Sequence, residues 1–157
     1  MRAYYMPKRR RRPMWVAEYS GETTASPAEV FALLADPATW PRWNEGVARI
    51  DMAGPFEAGT RAVMVFPDGT ELPFAITWVE PDRGYADETP VPDAAVVVRV
   101  RHELTATEAG TRITYRVEAD GPDDAAAEVG AGVSADFPAV IAALAAHAER
   151  PAAEGDA

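Results

Sequence analysis

The segment Ser26–Val47 reads SPAEVFALLADPATWPRWNEGV and carries the clearest local signals in the chain. Ser26 is followed by Pro27 and, three residues after the serine, by Glu29, which together form a capping box with proline at the first helical position. The apolar residues that follow share one face of a helix, and they are Val30, Phe31, Leu33 and Leu34. The pattern predicts a short amphipathic helix.

That helix is predicted to end at Asp36-Pro37, because the residue before a proline is pushed out of helical geometry. The same pair can cap a second short turn, which carries Trp40 and, beyond Pro41, Trp43. This turn is too short and too interrupted by proline to be an ordinary core helix. The two large rings therefore need a packing surface elsewhere in the chain.

On both sides of this segment the sequence predicts β-structure. Met14–Thr24 alternates and is rich in strand-forming residues, which indicates a first strand. From Ala48 to Ala119, strand-like runs are separated by short breaks with the chemistry of turns, at Gly54-Pro55, Pro67–Gly69, Pro81–Gly84 and Thr89–Asp93. Connections this short favour hairpins, so the prediction is an antiparallel meander.

Alternation assigns an inner face to three of these strands. On the first, the inner residues are Val96, Val98, Val100, His102 and Leu104, and on the next they are Ile113, Tyr115, Val117 and Ala119. A tight turn near Thr107–Gly110 places His102 opposite Tyr115, both pointing inward. A third apolar face consists of Leu72, Phe74, Ile76 and Trp78.

The last segment, Asp123–Arg150, is helical by composition, and its apolar residues recur at helical spacing. Gly130, Gly132 and Pro138 interrupt it, so a kink or a broken helix is expected. This helix is the one element long enough to cover the apolar face of the sheet. Small residues in its first half leave space beneath it, and they are Ala125, Ala126, Ala127, Gly130, Ala131 and Gly132.

Composition and charge limit the classes of function. With 157 residues, 48% of them hydrophobic, the chain fits one globular domain at residues 14–150. Residues 1–13 hold six basic residues and no acid, whereas the whole chain has a net charge of −10. The acidic body argues against nucleic acid as partner of the domain. The basic tail, predicted to be disordered, can contact anionic surfaces.

Targeting and membrane signals are weak. After the basic tail, only Met14–Ala17 is apolar, which is too short for a secretory signal. No apolar stretch reaches the length expected of a membrane span. A cytoplasmic protein is expected, monomeric or homodimeric, with a second disordered tail at residues 151–157. There is no cysteine, which removes disulfides and thiolate metal sites.

The segments SPAEVFALLADPATWPRWNEGV, GPFEAGTRAVM, AITWVEPDRGYADETP, HELTATEAGTRITYRVEADGP and DFPAVIAALAAHAE resemble the polyketide cyclase/dehydrase-type branch of the START/Bet v1-like (SRPBCC) superfamily. The resemblance covers residues 14–150. It implies an α+β helix-grip fold, in which a curved antiparallel sheet wraps around a long C-terminal helix and two short helices follow the first strand. In such folds the two short helices form a V, and Trp40 and Trp43 are expected to be wedges between that V and the sheet, with ligand contact as the alternative.

A cavity in this fold is expected to bind a small hydrophobic molecule that is lipid-like or polyketide-like. The predicted ligand-binding residues are Phe74, Ile76, Trp78, Tyr85, Asp87, Val98, Val100, His102, Tyr115, Val133 and Phe137. By alternation, only one of the neighbouring acids Asp87 and Glu88 can face inward, and a buried carboxylate either has a partner such as arginine or becomes neutral.

His102 and Tyr115 are the candidate catalytic pair, because histidine can exchange protons near neutral pH and tyrosine can orient a carbonyl or enol group. The alternatives are a hydrogen-bonded core pair or a ligand-recognition pair. In the resembled branch the position of Tyr115 is often histidine, so tyrosine here argues against a two-histidine mechanism. The chain shows no metal-ligand spacing, phosphate loop or nucleophile elbow, so neither a metal nor a cofactor is expected.

Three functions remain open at this stage. The first is binding, and possible transport, of a hydrophobic ligand. The second is an aromatase/cyclase-type enzyme that orients a poly-β-ketone for aldol cyclisation and dehydration. The third is a non-enzymatic stress or partner-binding protein that uses its sheet or its basic tail.

Overall fold

A seven-stranded antiparallel sheet forms the framework of the computed structural model, which describes residues 15–150. The predicted tails, 1–13 and 151–157, lie outside the described residues. The strands are β1 (Trp15–Thr23), β2 (Arg49–Met52), β3 (Arg61–Val65), β4 (Glu71–Glu80), β5 (Gly84–Val91), β6 (Val96–Ala106) and β7 (Thr111–Asp120). The helices are α1 (Pro27–Leu34), α2 (Trp40–Trp43), α3 (Asp123–Ser134) and α4 (Phe137–Ala148), with 3-10 turns at Pro37–Thr39 and Pro92–Ala94.

The strand order is β1-β7-β6-β5-β4-β3-β2, so consecutive strands from β2 to β7 are neighbours and β1 closes beside β7. This order confirms the predicted meander. The curved sheet holds α3 and α4 on its inner side, and the arrangement is the helix-grip fold expected from the sequence. In register, His102 lies opposite Tyr115 and Tyr85 lies opposite His102, which brings three inward side chains into one row.

The first two helices form as their sequence predicts. The Ser26 hydroxyl accepts from the Glu29 backbone amide at 3.1 Å, and the Glu29 carboxylate accepts from the Ser26 amide at 2.8 Å, which completes the capping box. The indole nitrogen of Trp40 donates to the Leu34 carbonyl at 3.1 Å. That of Trp43 donates to the Thr39 hydroxyl at 3.3 Å. These bonds tie α2 to the end of α1.

The terminal helix is broken, as expected, between Ser134 and Phe137, and Pro138 lies in the first turn of α4 where no amide donor is needed. The small residues of α3 do not all enlarge the cavity. A Cβ atom at Gly130 would lie 2.3 Å from Cε3 of Trp15, so this glycine lets β1 approach the helix closely. Gly132 has open space beside it and lines the cavity described below.

The helical segment Asp123–Ala148 is long and apolar enough to cross a membrane by length and composition alone. The sequence-based expectation that no stretch reaches that length was therefore wrong. In the fold, this segment is the core helix, and its buried residues Ala126, Ile141 and Leu144 pack against the sheet and α1.

Strand β5 extends further than its sequence predicts, because the turn expected at Thr89–Asp93 begins only at Pro92. Pro90 is paired in register with Val97 of β6. Pairing between β4 and β5 ends at Glu88, so Pro90 lies where β5 has a strand on one side only. Strands tolerate proline at such edge positions, since a missing amide donor leaves no partner unsatisfied.

Candidate functional site

A cavity of about 810 Å³ lies between the inner face of the sheet and the broken terminal helix. Its volume falls in the range typical of small-molecule sites. Most lining residues are apolar or aromatic, with a few polar groups among them. The predicted ligand-binding residues that line it are Phe74, Tyr85, Asp87, Val98, Val100, His102, Tyr115, Val133 and Phe137.

Two predicted residues lie elsewhere. Ile76 is 1% exposed and belongs to the solid core, so it does not line the cavity. Trp78 lies on the outer face of the sheet, because the register between β4 and β5 shifts between Ile76 and Trp78. The extra residue, Thr77, is a β-bulge that reverses the alternation. The guanidinium carbon of Arg101 lies 3.9 Å from the centroid of the Trp78 ring.

The sequence predicts a packing role for Trp40 and Trp43, with ligand contact as the alternative, and the structure places both side chains in packed positions at the edge of the cavity. Their side chains are 3% and 5% exposed, yet both border the cavity. Trp40 stacks on Tyr85 with 5.8 Å between ring centroids. Further lining residues were not among the predicted ligand-binding residues, although the sequence placed Leu72 on an inner face and Gly132 beside the expected space. They are Asn44, Gly46, Val47, Met64, Phe66, Pro67, Asp68, Leu72, Thr89, Val91, Val129, Gly132, Ala135, Asp136 and Val140.

His102 is held between two tyrosines. The Tyr85 ring is stacked on the imidazole, with centroids 4.0 Å apart and planes 9° apart. The Tyr115 ring meets it edge-on at 4.5 Å. Nδ1 of His102 lies 3.1 Å from the Tyr85 carbonyl oxygen. A carbonyl only accepts, so Nδ1 carries the proton and donates, and Nε2 is left as an acceptor.

Burial lowers the pKa of His102 to about 3, because the charged imidazolium is poorly solvated there. The ring is therefore neutral at physiological pH. Among residues 15–150, Nε2 has no hydrogen-bond partner. The geometry thus favours the ligand-recognition interpretation, with Nε2 available to accept a hydrogen bond from a bound molecule.

Asp87 is the one of the two neighbouring acids that faces inward. Glu88 faces outward and accepts a hydrogen bond from Nε of Arg99 at 2.9 Å. The arginine partner expected for an acid in this strand therefore belongs to Glu88. Asp87 has no hydrogen bond or ion pair within the described part of the chain, and burial raises its pKa to about 7.

The two tyrosines of the row remain hydrogen-bond donors. Tyr85 and Tyr115 are 4% and 3% exposed. Burial raises the pKa of both hydroxyls well above the ordinary value, and the nearby Asp87 carboxylate adds to the effect. Neither hydroxyl has a hydrogen-bond partner within residues 15–150. The inner end of the cavity therefore combines the unpartnered polar groups of Tyr85, Asp87, His102 and Tyr115, which we call the polar row.

The cavity opens where its lining residues are exposed, at Asp68 in the β3–β4 turn and at Val133 and Asp136 beside the helix break. Within the described residues, no group of three histidines or carboxylates is arranged to hold a metal ion.

Comparison with known proteins agrees with this architecture. A sequence profile of the family described as "Polyketide cyclase / dehydrase and lipid transport" matches residues 14–149. No curated protein sequence matches the chain.

Several solved structures share the fold at low identity. The di-domain ARO/CYC StfQ from the steffimycin biosynthetic pathway matches with a TM-score of 0.71 and 17% identity, over 85% of this chain and 50% of that protein. A point mutant of norcoclaurine synthase from Thalictrum flavum matches with a TM-score of 0.70 and 15% identity, over 91% of this chain and 96% of that protein. The protein Ara h 8.0201 matches with a TM-score of 0.63 and 18% identity, over 83% of this chain and 97% of that protein.

Proposed function

The chain belongs to the polyketide cyclase/dehydrase and lipid transport family, and from this premise we propose that it binds one small hydrophobic molecule inside its cavity. The ligand has an apolar body that fills the space between the sheet and the broken helix. A polar group of the ligand lies at the polar row.

The observation that carries this proposal is a large apolar cavity in which the hydroxyls of Tyr85 and Tyr115, the Asp87 carboxyl group and Nε2 of His102 have no partner among the described residues. Unfilled apolar space costs packing energy, and buried polar groups without partners cost desolvation energy. A ligand with an apolar body and one polar end offsets both costs. Tyr115 and Tyr85 supply donors at that end, and Nε2 of His102 supplies an acceptor.

Titration with the neutral fluorophore N-phenyl-1-naphthylamine tests this proposal. We expect saturable fluorescence enhancement, with one molecule bound per chain. Val100→Trp places a large ring in the cavity and should abolish the signal, because Val100 lines the cavity. Val97→Trp is the matched control on the outer face of the same strand, and it should leave binding unchanged. No saturable binding, or equal binding in both variants, would contradict the proposal.

A specific observation favours a second candidate, an aromatase/cyclase-type enzyme. Asp87 is a cavity carboxyl group with a pKa of about 7, which suits general acid–base catalysis near neutral pH. The low pKa of His102 leaves proton transfer to Asp87, while the catalytic residues predicted from sequence, His102 and Tyr115, orient the substrate. The similar structures include ARO/CYC proteins from two biosynthetic pathways, which supports this candidate.

In this reaction the Asp87 carboxylate removes a proton from a carbon between two carbonyl groups of a poly-β-ketone. The resulting enolate carbon forms a bond to a distant carbonyl carbon of the same molecule. The new alkoxide takes the proton back from Asp87, and loss of the hydroxyl with a neighbouring proton releases water. The cavity contributes orientation of the two reacting carbons.

The enzyme candidate is tested with a synthetic poly-β-ketone and product detection by mass spectrometry. Asp87→Asn should remove turnover above the uncatalysed rate while binding of the neutral fluorophore persists. His102→Ala should weaken turnover through loss of orientation. If wild-type protein forms no cyclised product beyond the protein-free control, the enzyme candidate is wrong and the binding proposal stands alone.

A further inference from the structure

The charged residues that line the cavity are all acidic. Its lining includes the three acids Asp68, Asp87 and Asp136, and none of the described lining residues is lysine or arginine. The exposed ion pairs of the sheet are arranged differently, because each joins an arginine to an acid on the outer surface, as in the pair Arg99–Glu88. The lining formed by residues 15–150 thus lacks the cations that neutralise acids on the outer surface.

Asp87 is the most deeply buried of these three lining acids. It faces the cavity on β5, between Tyr85 and Thr89, and lies in register with Val100 of β6. A carboxylate surrounded by valine and aromatic side chains is poorly solvated and gains most from a cation that enters the same space. A protonated amine would supply the missing partner.

Two members of the polar row, Asp87 and His102, accept hydrogen bonds, and the hydroxyls of its two tyrosines can accept as well as donate, so the row can receive an ammonium group. The Asp87 carboxylate only accepts, and Nε2 of His102 also accepts because Nδ1 donates to the Tyr85 carbonyl. An ammonium group offers three donors and no acceptor. The buried His102 is 6% exposed, so its unpartnered nitrogen has little access to solvent outside the cavity.

Aromatic rings border the same space. Tyr85, Tyr115, Trp40, Phe74 and Phe137 all line the cavity, and Tyr115 meets Phe137 edge-on at 5.3 Å. The faces of such rings attract cations, and this attraction strengthens where water is excluded. At the opening, Asp68 and Asp136 create a negative potential that attracts cations and repels anions.

We propose that the cavity selects a hydrophobic amine over neutral and anionic molecules of the same shape. The amine has an apolar or aromatic body, and its protonated nitrogen pairs with Asp87 and contacts the surrounding aromatic rings. This inference rests on the proposed binding function and names its ligand class. Fatty acids and other hydrophobic carboxylates are disfavoured, because Asp87 repels their charge and none of the described lining residues is a lysine or arginine that would pair with it.

Three probes with one carbon frame test the selection: 2-naphthylmethylamine, 2-naphthylmethanol and 2-naphthoate. Their affinities are measured by calorimetry, and by displacement of N-phenyl-1-naphthylamine, at about pH 8, where Asp87 is ionised and the amine is still protonated. We expect the amine to bind about tenfold more tightly than the alcohol or better, and the carboxylate to bind most weakly.

Two variants identify the group responsible. Asp87→Asn should reduce the ratio of the amine affinity to the alcohol affinity to nearly one. Glu88→Gln is the matched control, because it removes the same charge from the neighbouring residue on the outer face. It should leave the ratio unchanged.

The outcomes separate the inference from the function on which it rests. Wild-type protein that binds the alcohol as tightly as the amine overturns the amine proposal and leaves hydrophobic binding intact. An amine preference that survives Asp87→Asn also overturns it. Failure of the fluorophore and of all three probes to bind removes the binding function itself.

Discussion

Asp87 links ligand binding to stability, because the fold buries this carboxyl group without a partner in the described residues. Its pKa rises from about 3.8 to about 7 on folding. The folded state therefore holds a proton that the unfolded state releases between these values, and stability falls as pH rises from about 4 to about 7. Above about pH 7, the loss of folding stability caused by the buried, ionised Asp87 no longer changes with pH.

We predict that Asp87→Asn stabilises the protein at about pH 8, by up to about 4 kcal/mol, and changes little at about pH 4. Asparagine keeps the shape of the side chain and removes the charge. Chemical denaturation at the two pH values measures the difference, and Glu88→Gln controls for the loss of one surface charge. A variant that is less stable than wild type at the higher pH would contradict this account of Asp87.

His102 is predicted to keep one proton, on Nδ1, throughout the range from about pH 5 to about pH 8, because its folded pKa is about 3. His147 of α4 is only partly buried, and this burial together with the nearby charges of Arg150 and Arg42 lowers its pKa, so its ring serves as the internal comparison. Nitrogen-15 NMR of the two imidazoles makes the measurement. Titration of both rings together in this range would show that His102 is solvated.

Residue identities limited what could be predicted about the polar row. Alternation placed His102 and Tyr115 on the inner face, and their pairing is confirmed. Alternation could not decide between Asp87 and Glu88. It shows that neighbouring residues face opposite sides of the sheet, but only the register with neighbouring strands shows which side is the inner one. The Nδ1 bond to the Tyr85 carbonyl likewise depends on the pairing of β5 with β6.

At the scale of elements, β4 shows how one extra residue changes a site. The bulge at Thr77 turns Trp78 outward, a change that an apolar alternating sequence does not reveal. The helix signals were more informative. The capping box at Ser26 and the break near Pro138 follow from local chemistry that neighbouring elements do not override.

The bulge gives a testable contrast on one strand. Trp78→Ala should leave affinity for N-phenyl-1-naphthylamine unchanged, because Trp78 packs under Arg101 on the outer face. Phe74→Ala should weaken it by about tenfold, since Phe74 lines the cavity and apolar contact is lost. Fluorescence titration compares the two. Weaker binding by the Trp78 variant would place that ring at the site.

Two glycines of α3 are predicted to respond oppositely to alanine. Gly130→Ala should destabilise the protein by about 1–3 kcal/mol, because the new methyl group collides with Trp15. Gly132→Ala should stabilise it by up to about 1 kcal/mol, because alanine favours the helix and open space surrounds this position. Thermal and denaturant unfolding measure both. Similar effects at the two sites would contradict the close contact of α3 with β1.

For the whole molecule, the order of elements and the resemblance predicted the fold, and the family profile and strand order confirm it. The volume of the cavity was not predictable in the same way. It depends on how far the sheet curves and on where α3 ends, and both arise from contacts between distant residues, such as Trp15 against Gly130. The sequence indicated a gap, and the packed structure determined its size and its charge.

The central claim is that a hydrophobic molecule occupies the space between the sheet and the broken helix. Intermolecular NOEs from bound N-phenyl-1-naphthylamine to methyl-labelled protein test it most directly. The account predicts NOEs to the methyl groups of Val98, Val100 and Val140, which line the cavity, and none to Val97 on the outer face. NOEs confined to outer-face methyl groups, or saturable binding without any contact to the three inner valines, would contradict it.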